Sequence, residues 1–161
     1  MDFQTPPEVC DYMVEIIPYC SQVYLDFDYG KNLRILEPTP GQGNLVNSLR
    51  KHLKSEIITP NNFWDLPKNE KYAWIVMNPP FSPMKQGYEI LYRCMDMSDN
   101  IIALMPWLTI INGEKRTKDI MNFGLKSITH LPRNIFKGSR VQCCVLEMQK
   151  GWKSETIFKT F

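Results

Sequence analysis

Apolar residues recur along the chain at two spacings, one helical and one extended. Thr5-Pro6-Pro7 precedes Glu8 to Ile17, where Val9, Met13, Ile16 and Ile17 share a helical face. That pattern predicts a helix with Thr5 as its cap and proline in its first turn. Leu33 to Glu37 reads as a short strand, halted by Pro38-Thr39-Pro40-Gly41-Gln42-Gly43. A helix from Asn44 to about Leu53 follows, with Leu45, Val46, Leu49 and Leu53 facing inward. Ile57 to Thr59 is a weak strand closed by Pro60-Asn61-Asn62, and Tyr72 to Met77 is a stronger one closed by Asn78-Pro79-Pro80-Phe81. Gln86 to Met97 has helical spacing, and Asn100 to Met105 is a continuous apolar run, as expected of a strand buried on both faces. Lys115 to Phe123 reads as helix, and the strands Leu125 to Leu131 and Gln142 to Met148 bracket a basic stretch. Short strands alternating with helices predict a three-layer α/β/α sandwich around a mainly parallel sheet.

Composition narrows the class without naming a function. The 161 residues are 43% apolar and 22% charged, which suits a single core and excludes a wholly disordered chain. No repeat or linker divides residues 1–161, so a single domain is expected. Nineteen basic against seventeen acidic residues leave a net charge of +2, too balanced to announce or forbid a nucleic-acid partner. No apolar run is long enough to span a bilayer and the first residues carry no signal-peptide pattern, so no membrane partner and a cytoplasmic location are expected. Five cysteines without a Cys-x-x-Cys pair, and two histidines, make neither a disulfide framework nor a metal site, so reduced, buried thiols are expected.

In such a sandwich, ligands bind beyond the carboxyl ends of the strands. Two loops there carry chemistry. Glu37-Pro38-Thr39-Pro40-Gly41-Gln42-Gly43 sets an acid at a strand end before Gly-x-Gly. Its glycines let backbone approach a ligand, and its carboxyl can receive an ammonium or hydroxyl group. It lacks the third glycine of a dinucleotide fingerprint and the Gly-Lys-Ser/Thr of a phosphate loop. Asn78-Pro79-Pro80-Phe81 offers the Asn78 carboxamide and the Pro79 carbonyl as two acceptors on a proline-stiffened backbone, with an aromatic ring beside them. Two acceptors and a ring suit a planar substrate that carries an amino group.

With these motifs in this order, the chain resembles the class I S-adenosylmethionine-dependent methyltransferases that act on the exocyclic (N6) amino group of adenine in DNA, a family with a Rossmann-like fold. The resemblance implies S-adenosylmethionine as cofactor. It implies a closing motif over the methionine moiety at Phe3, Thr5 and Pro6, and a cofactor loop at Glu37, Pro38, Gly41, Gly43 and Asn44. Asn62-Phe63 is similar to the family's Asp-Phe element, which meets the cofactor adenine. Asn78, Pro79, Pro80 and Phe81 form its catalytic motif. Acceptors at Asn78 and Pro79 favour a pyramidal amine with a localised lone pair, and Phe81 stacks on a base flipped from the duplex. By the same resemblance Phe136 gives a second contact to that base; it reads equally as a core residue between two strands. Rivals are methylation of RNA bases or of protein glutamine, or a degenerate binding subunit.

Three departures accompany the resemblance. The short distance from Gly43 to Asn78 predicts a missing or reduced second crossover helix. No acid ends the second strand, where the cofactor ribose is held in the family; Asn61, Asn62 or Asp65 is the substitute. No separate target-recognition domain is expected, so DNA as partner implies a specificity subunit or self-association. Arg133, Lys137 and Arg140 are the candidate phosphate contacts, with Lys115, Arg116 and Lys118 as a second rim, and each reads equally as a solvated surface. The connector Ser82 to Gly87 has the composition of a mobile lid or of an ordinary loop.

Overall fold

The structure, a computed structural model, describes residues 4–18 and 33–161. Phe3 and Cys20 lie outside them. In chain order the elements are α1 (Pro7–Glu15), β1 (Arg34–Leu36), α2 (Asn44–His52), β2 (Glu56–Ile58), β3 (Trp74–Met77), α3 (Met84–Met97), β4 (Asn100–Pro106), α4 (Leu108–Ile111), α5 (Glu114–Phe123), β5 (Leu125–His130), β6 (Cys143–Gln149) and β7 (Ile157–Thr160). A single 3-10 turn, Phe63–Asp65, stands between β2 and β3. The second crossover helix is therefore absent there, as the spacing predicts.

Among the described residues the strands form one seven-stranded sheet in the order β2-β1-β3-β4-β6-β5-β7. Only β6 runs against its neighbours; the pairs β2–β1, β1–β3, β3–β4 and β5–β7 are parallel. Period-two alternation divides the buried side chains of β4 between two layers. Ile102 and Leu104 face α1 and α2, in a layer with Val9, Met13, Leu45, Leu49 and Val145. Ile101, Ala103 and Met105 face α3 and α5, in a layer with Ile90, Leu91, Cys94, Ile120 and Leu146. Helices cover both faces, which is why β3 and β4 read as unbroken apolar runs.

Local chemistry corrects several expectations. Thr5 does not cap α1: the helix begins one residue later than its cap would require, with Val9 N and Cys10 N both donating to Pro6 O at 3.0 Å. Proline at the first helical position needs no N–H partner, so Pro6 serves as the cap through its backbone alone. Gly87 belongs to no lid. It is buried within α3, where a Cβ would come 2.9 Å from Pro80 O, so its bareness lets the helix abut the loop after β3. β7 carries no pattern of burial, its four residues all being exposed. It is fastened by pairing with β5, by Phe161 N donating to His130 O at 3.0 Å, and by the Phe161 ring standing edge-on to Tyr12.

Candidate active site

Because β1 and β3 are parallel neighbours, the residues leaving their carboxyl ends lie side by side. Those residues are Glu37 and Asn78. Each is followed by proline, which cannot extend the ladder, so both chains turn out of the sheet.

Glu37 is 1% exposed, and its Oε1 accepts from Thr39 N at 2.8 Å and from Thr39 Oγ1 at 3.3 Å. No cation faces it within the described ion pairs. Burial pushes its carboxyl up to about 8, outweighing the two Thr39 bonds that favour the charged form. At neutral pH Glu37 is mainly protonated, poised to ionise against an incoming positive charge. The Thr39 hydroxyl is shared, because it also reaches Asn78 O at 3.1 Å. Gly43 turns the loop into α2 at φ +92°, a left-handed conformation that side chains disfavour, with Gly43 N bonded to Pro40 O at 2.7 Å.

The amino-terminal segment crosses over this loop. Asn44 Nδ2 donates to Thr5 O at 3.1 Å, and Gln42 N donates to Gln4 Oε1 at 3.3 Å. Asn78 Nδ2 donates to Thr5 Oγ1 at 2.6 Å. Behind it, Asp11 of α1 takes hydrogen bonds from Ser48 Oγ at 2.7 Å and His52 Nε2 at 3.1 Å, tying α1 to α2. The amino-terminal segment and the loops after β1 and β3 border a small polar cleft, open to solvent. Thr5, Glu37, Gly41, Asn44 and Asn78 all line it. Gln4, Thr39, Pro40 and Leu45 line it too, residues to which the motifs assign no individual role.

Other predicted residues stand elsewhere. Pro6, Pro38 and Gly43 shape the backbone beside the cleft rather than lining it. Pro79 and Pro80 carry the chain away from Asn78 towards α3, and Phe81 is half-buried against the layer that holds Phe136. Phe136 is 5% exposed, within that apolar layer. Asn62 uses its side chain to accept from Trp64 N at 3.1 Å, and Phe63 is buried in the opposite layer, its ring 5.0 Å beneath the Arg93 guanidinium. Neither lines the cleft. Arg133, Lys137 and Arg140 are exposed, with no ion pair among the described residues. Of the second rim, Lys115 and Lys118 are paired with Asp119 and Glu114, and Arg116 caps the carbonyls of Leu108, Thr109 and Asn112. Cys10 donates to Thr5 O, but burial pushes its thiol up to about 12, so it is no nucleophile here.

Among the described residues no group of three or more His, Cys, Asp or Glu could hold a metal ion, and no helix is long and apolar enough to cross a membrane. No family model and no curated protein sequence matches the chain. Solved structures do. A modification subunit assigned to a type I restriction enzyme of Vibrio vulnificus superposes with a TM-score of 0.75 at 16% identity, over 99% of this chain and 47% of that protein. This is a class I methyltransferase fold. A protein of Listeria monocytogenes assigned as a class I S-adenosylmethionine-dependent methyltransferase shares it, with a TM-score of 0.72 at 13% identity, over 98% of this chain and 65% of that one. So does the type I restriction-modification methyltransferase subunit of Streptococcus thermophilus, with a TM-score of 0.72 at 14% identity, over 98% and 47%. This chain thus spans between about half and two thirds of the length of those proteins. In a methyltransferase fold of this kind, the cleft between the ends of β1 and β3 is the expected ligand site.

Proposed function

We propose that this chain transfers a methyl group from S-adenosylmethionine to the exocyclic amino group of adenine in DNA. The observation that carries the reading is the adjacency of Glu37 and Asn78 on one polar cleft, joined through the Thr39 hydroxyl. A buried, protonated carboxyl with no cation beside it suits a ligand that brings its own positive charge, and the exposed backbone of Gly41 allows close approach. The donor set therefore fits the cofactor, with Glu37, Gly41 and Asn44 as the residues that would hold it. When bound, S-adenosylmethionine supplies an electrophilic methyl group on a sulfonium sulfur.

Asn78 does the chain's own part. Its Oδ1 has no hydrogen-bond partner among the described residues, while its Nδ2 is held by Thr5. An amine that donates to Oδ1 and to the Pro79 carbonyl is drawn out of conjugation with its ring, and orientation of that nitrogen supplies the rate. Phe81, half-buried, is the ring that would stack on the base. Two of the similar structures belong to type I restriction-modification systems, which supports DNA as the substrate and a separate specificity subunit as partner. Exposed Arg133, Lys137 and Arg140 are suited to phosphates. Asn62 and Phe63 do not support the expected adenine contact, and no acid stands at the end of β2, so the ribose is left to Asn61 or Asp65, both exposed at the 3-10 turn.

The test is transfer of labelled methyl to mixed-sequence DNA, followed by nucleoside analysis. Label on the adenine amino group is expected, and Asn78→Ala should lower the rate at least about 100-fold. Label on RNA or on a glutamine amide instead would replace DNA as the substrate, and undiminished product from Asn78→Ala would remove Asn78 from the chemistry.

A further inference from the structure

Thr5 has so far appeared as part of the cleft wall, on the side the family resemblance gives to the cofactor. Its contacts place it differently. The hydroxyl is 2.6 Å from Asn78 Nδ2, a bond spanning 73 positions of sequence, and the residue is 3% exposed. Its carbonyl is also occupied, by Asn44 Nδ2 and Cys10 Sγ, so the residue is held on both sides of its Cα. A carboxamide has a donor end and an acceptor end, and only the acceptor end can receive an amine N–H. With Nδ2 given to Thr5, Oδ1 is the end left without a partner among the described residues. The same asparagine is held at its main chain, where Thr39 Oγ1 reaches Asn78 O at 3.1 Å.

We infer that Thr5 is a positioning residue for Asn78: its hydroxyl receives the Nδ2 proton and so keeps Oδ1 turned towards the substrate amine. The inference rests on the reading of Asn78 as the acceptor for that amine. It separates two roles that the sequence merges, because a cofactor contact and a brace on the catalytic amide respond differently to loss of one hydroxyl. Valine keeps the shape of threonine and removes the donor–acceptor oxygen; serine keeps the oxygen and removes a methyl group.

The experiment compares the full chain with Thr5→Val and Thr5→Ser, after thermal melts establish that each is folded. In steady-state methylation, Thr5→Val is expected to lower kcat about 100-fold, as for a misplaced reacting group, with the KM for S-adenosylmethionine unchanged, and Thr5→Ser to restore most of kcat. Added to Asn78→Ala, Thr5→Val should have no further effect, because the brace then has nothing to hold. A raised KM with unchanged kcat would overturn the inference and return Thr5 to the cofactor. A second readout needs no activity: the side-chain amide proton signals of Asn78 in nuclear magnetic resonance. They should be protected from exchange in the wild type and Thr5→Ser, and lose protection in Thr5→Val. Unchanged Asn78 signals in Thr5→Val would overturn the inference whatever the substrate. Lost protection in a protein whose wild type methylates no adenine would uphold the brace and refute the proposed function.

Discussion

Replacing Glu37 by glutamine isolates the electrostatics of the cleft. The carboxyl is 1% exposed and raised from an ordinary value of 4.5 to about 8 by burial. A carboxyl whose folded pKa exceeds its unfolded one makes the native state hold more protons than the unfolded state between the two values. Its contribution to stability is therefore intact below about 4.5 and is lost as pH rises to about 8. At roughly 1.4 kcal/mol per pH unit, the full window amounts to about 5 kcal/mol, of which about 3 kcal/mol is already lost at pH 7. Glu37→Gln keeps an oxygen for Thr39 N and Oγ1 but cannot ionise. Urea unfolding of both proteins at pH 5, 7 and 8.5, without ligand, measures the difference, and every other titrating group cancels in it. The variant should match the wild type within about 1 kcal/mol at pH 5 and exceed it by about 3 kcal/mol or more at pH 8.5. A difference that stays flat with pH, or that favours the wild type in alkali, would mean that Glu37 is ionised in the fold and would refute the buried, neutral carboxyl.

Two further outcomes follow from the same geometry. Gly87→Ala should improve helix propensity by about 1 kcal/mol yet reduce methyl transfer, because the new Cβ, 2.9 Å from Pro80 O, pushes on the loop that carries Asn78; unchanged kcat would show that the loop tolerates the shift. Replacing Arg133, Lys137 and Arg140 together by alanine should flatten the salt dependence of DNA binding, with a slope of log affinity against log salt reduced by up to about 3, while leaving S-adenosylmethionine affinity alone; an unaltered slope would remove this loop from the DNA surface.

How much was legible depends on where each residue's partners sit. β3 and β4 are readable because burial on both faces leaves an unbroken apolar run, and the missing or reduced crossover is readable from the short span between Gly43 and Asn78. β7 was not, since its pairing with β5 is made by backbone and all four of its residues face solvent. The two motif loops are legible from residue type, and the sheet order brings Glu37 and Asn78 side by side. Thr5 was placed by its neighbours Pro6 and Pro7, whereas its decisive bond is to a residue on another strand end. Phe63 reads as a ring for the cofactor, but the Arg93 guanidinium over its face and the apolar layer around α3 claim it. Thr39 lies within the first motif loop, but only its bonds to the Glu37 carboxyl and the Asn78 carbonyl reveal its role. Gly87 has the composition signal of a lid or an ordinary loop, and it is a close approach in a helix.

The account stands on a cleft that accepts a positively charged one-carbon donor beside Asn78, and calorimetric titration of the chain with S-adenosylmethionine tests that most directly. Binding in the micromolar range is predicted, about −8 kcal/mol, weakened in Glu37→Gln. No heat and no saturation at millimolar cofactor would contradict it and leave a methyltransferase fold without a methyl donor.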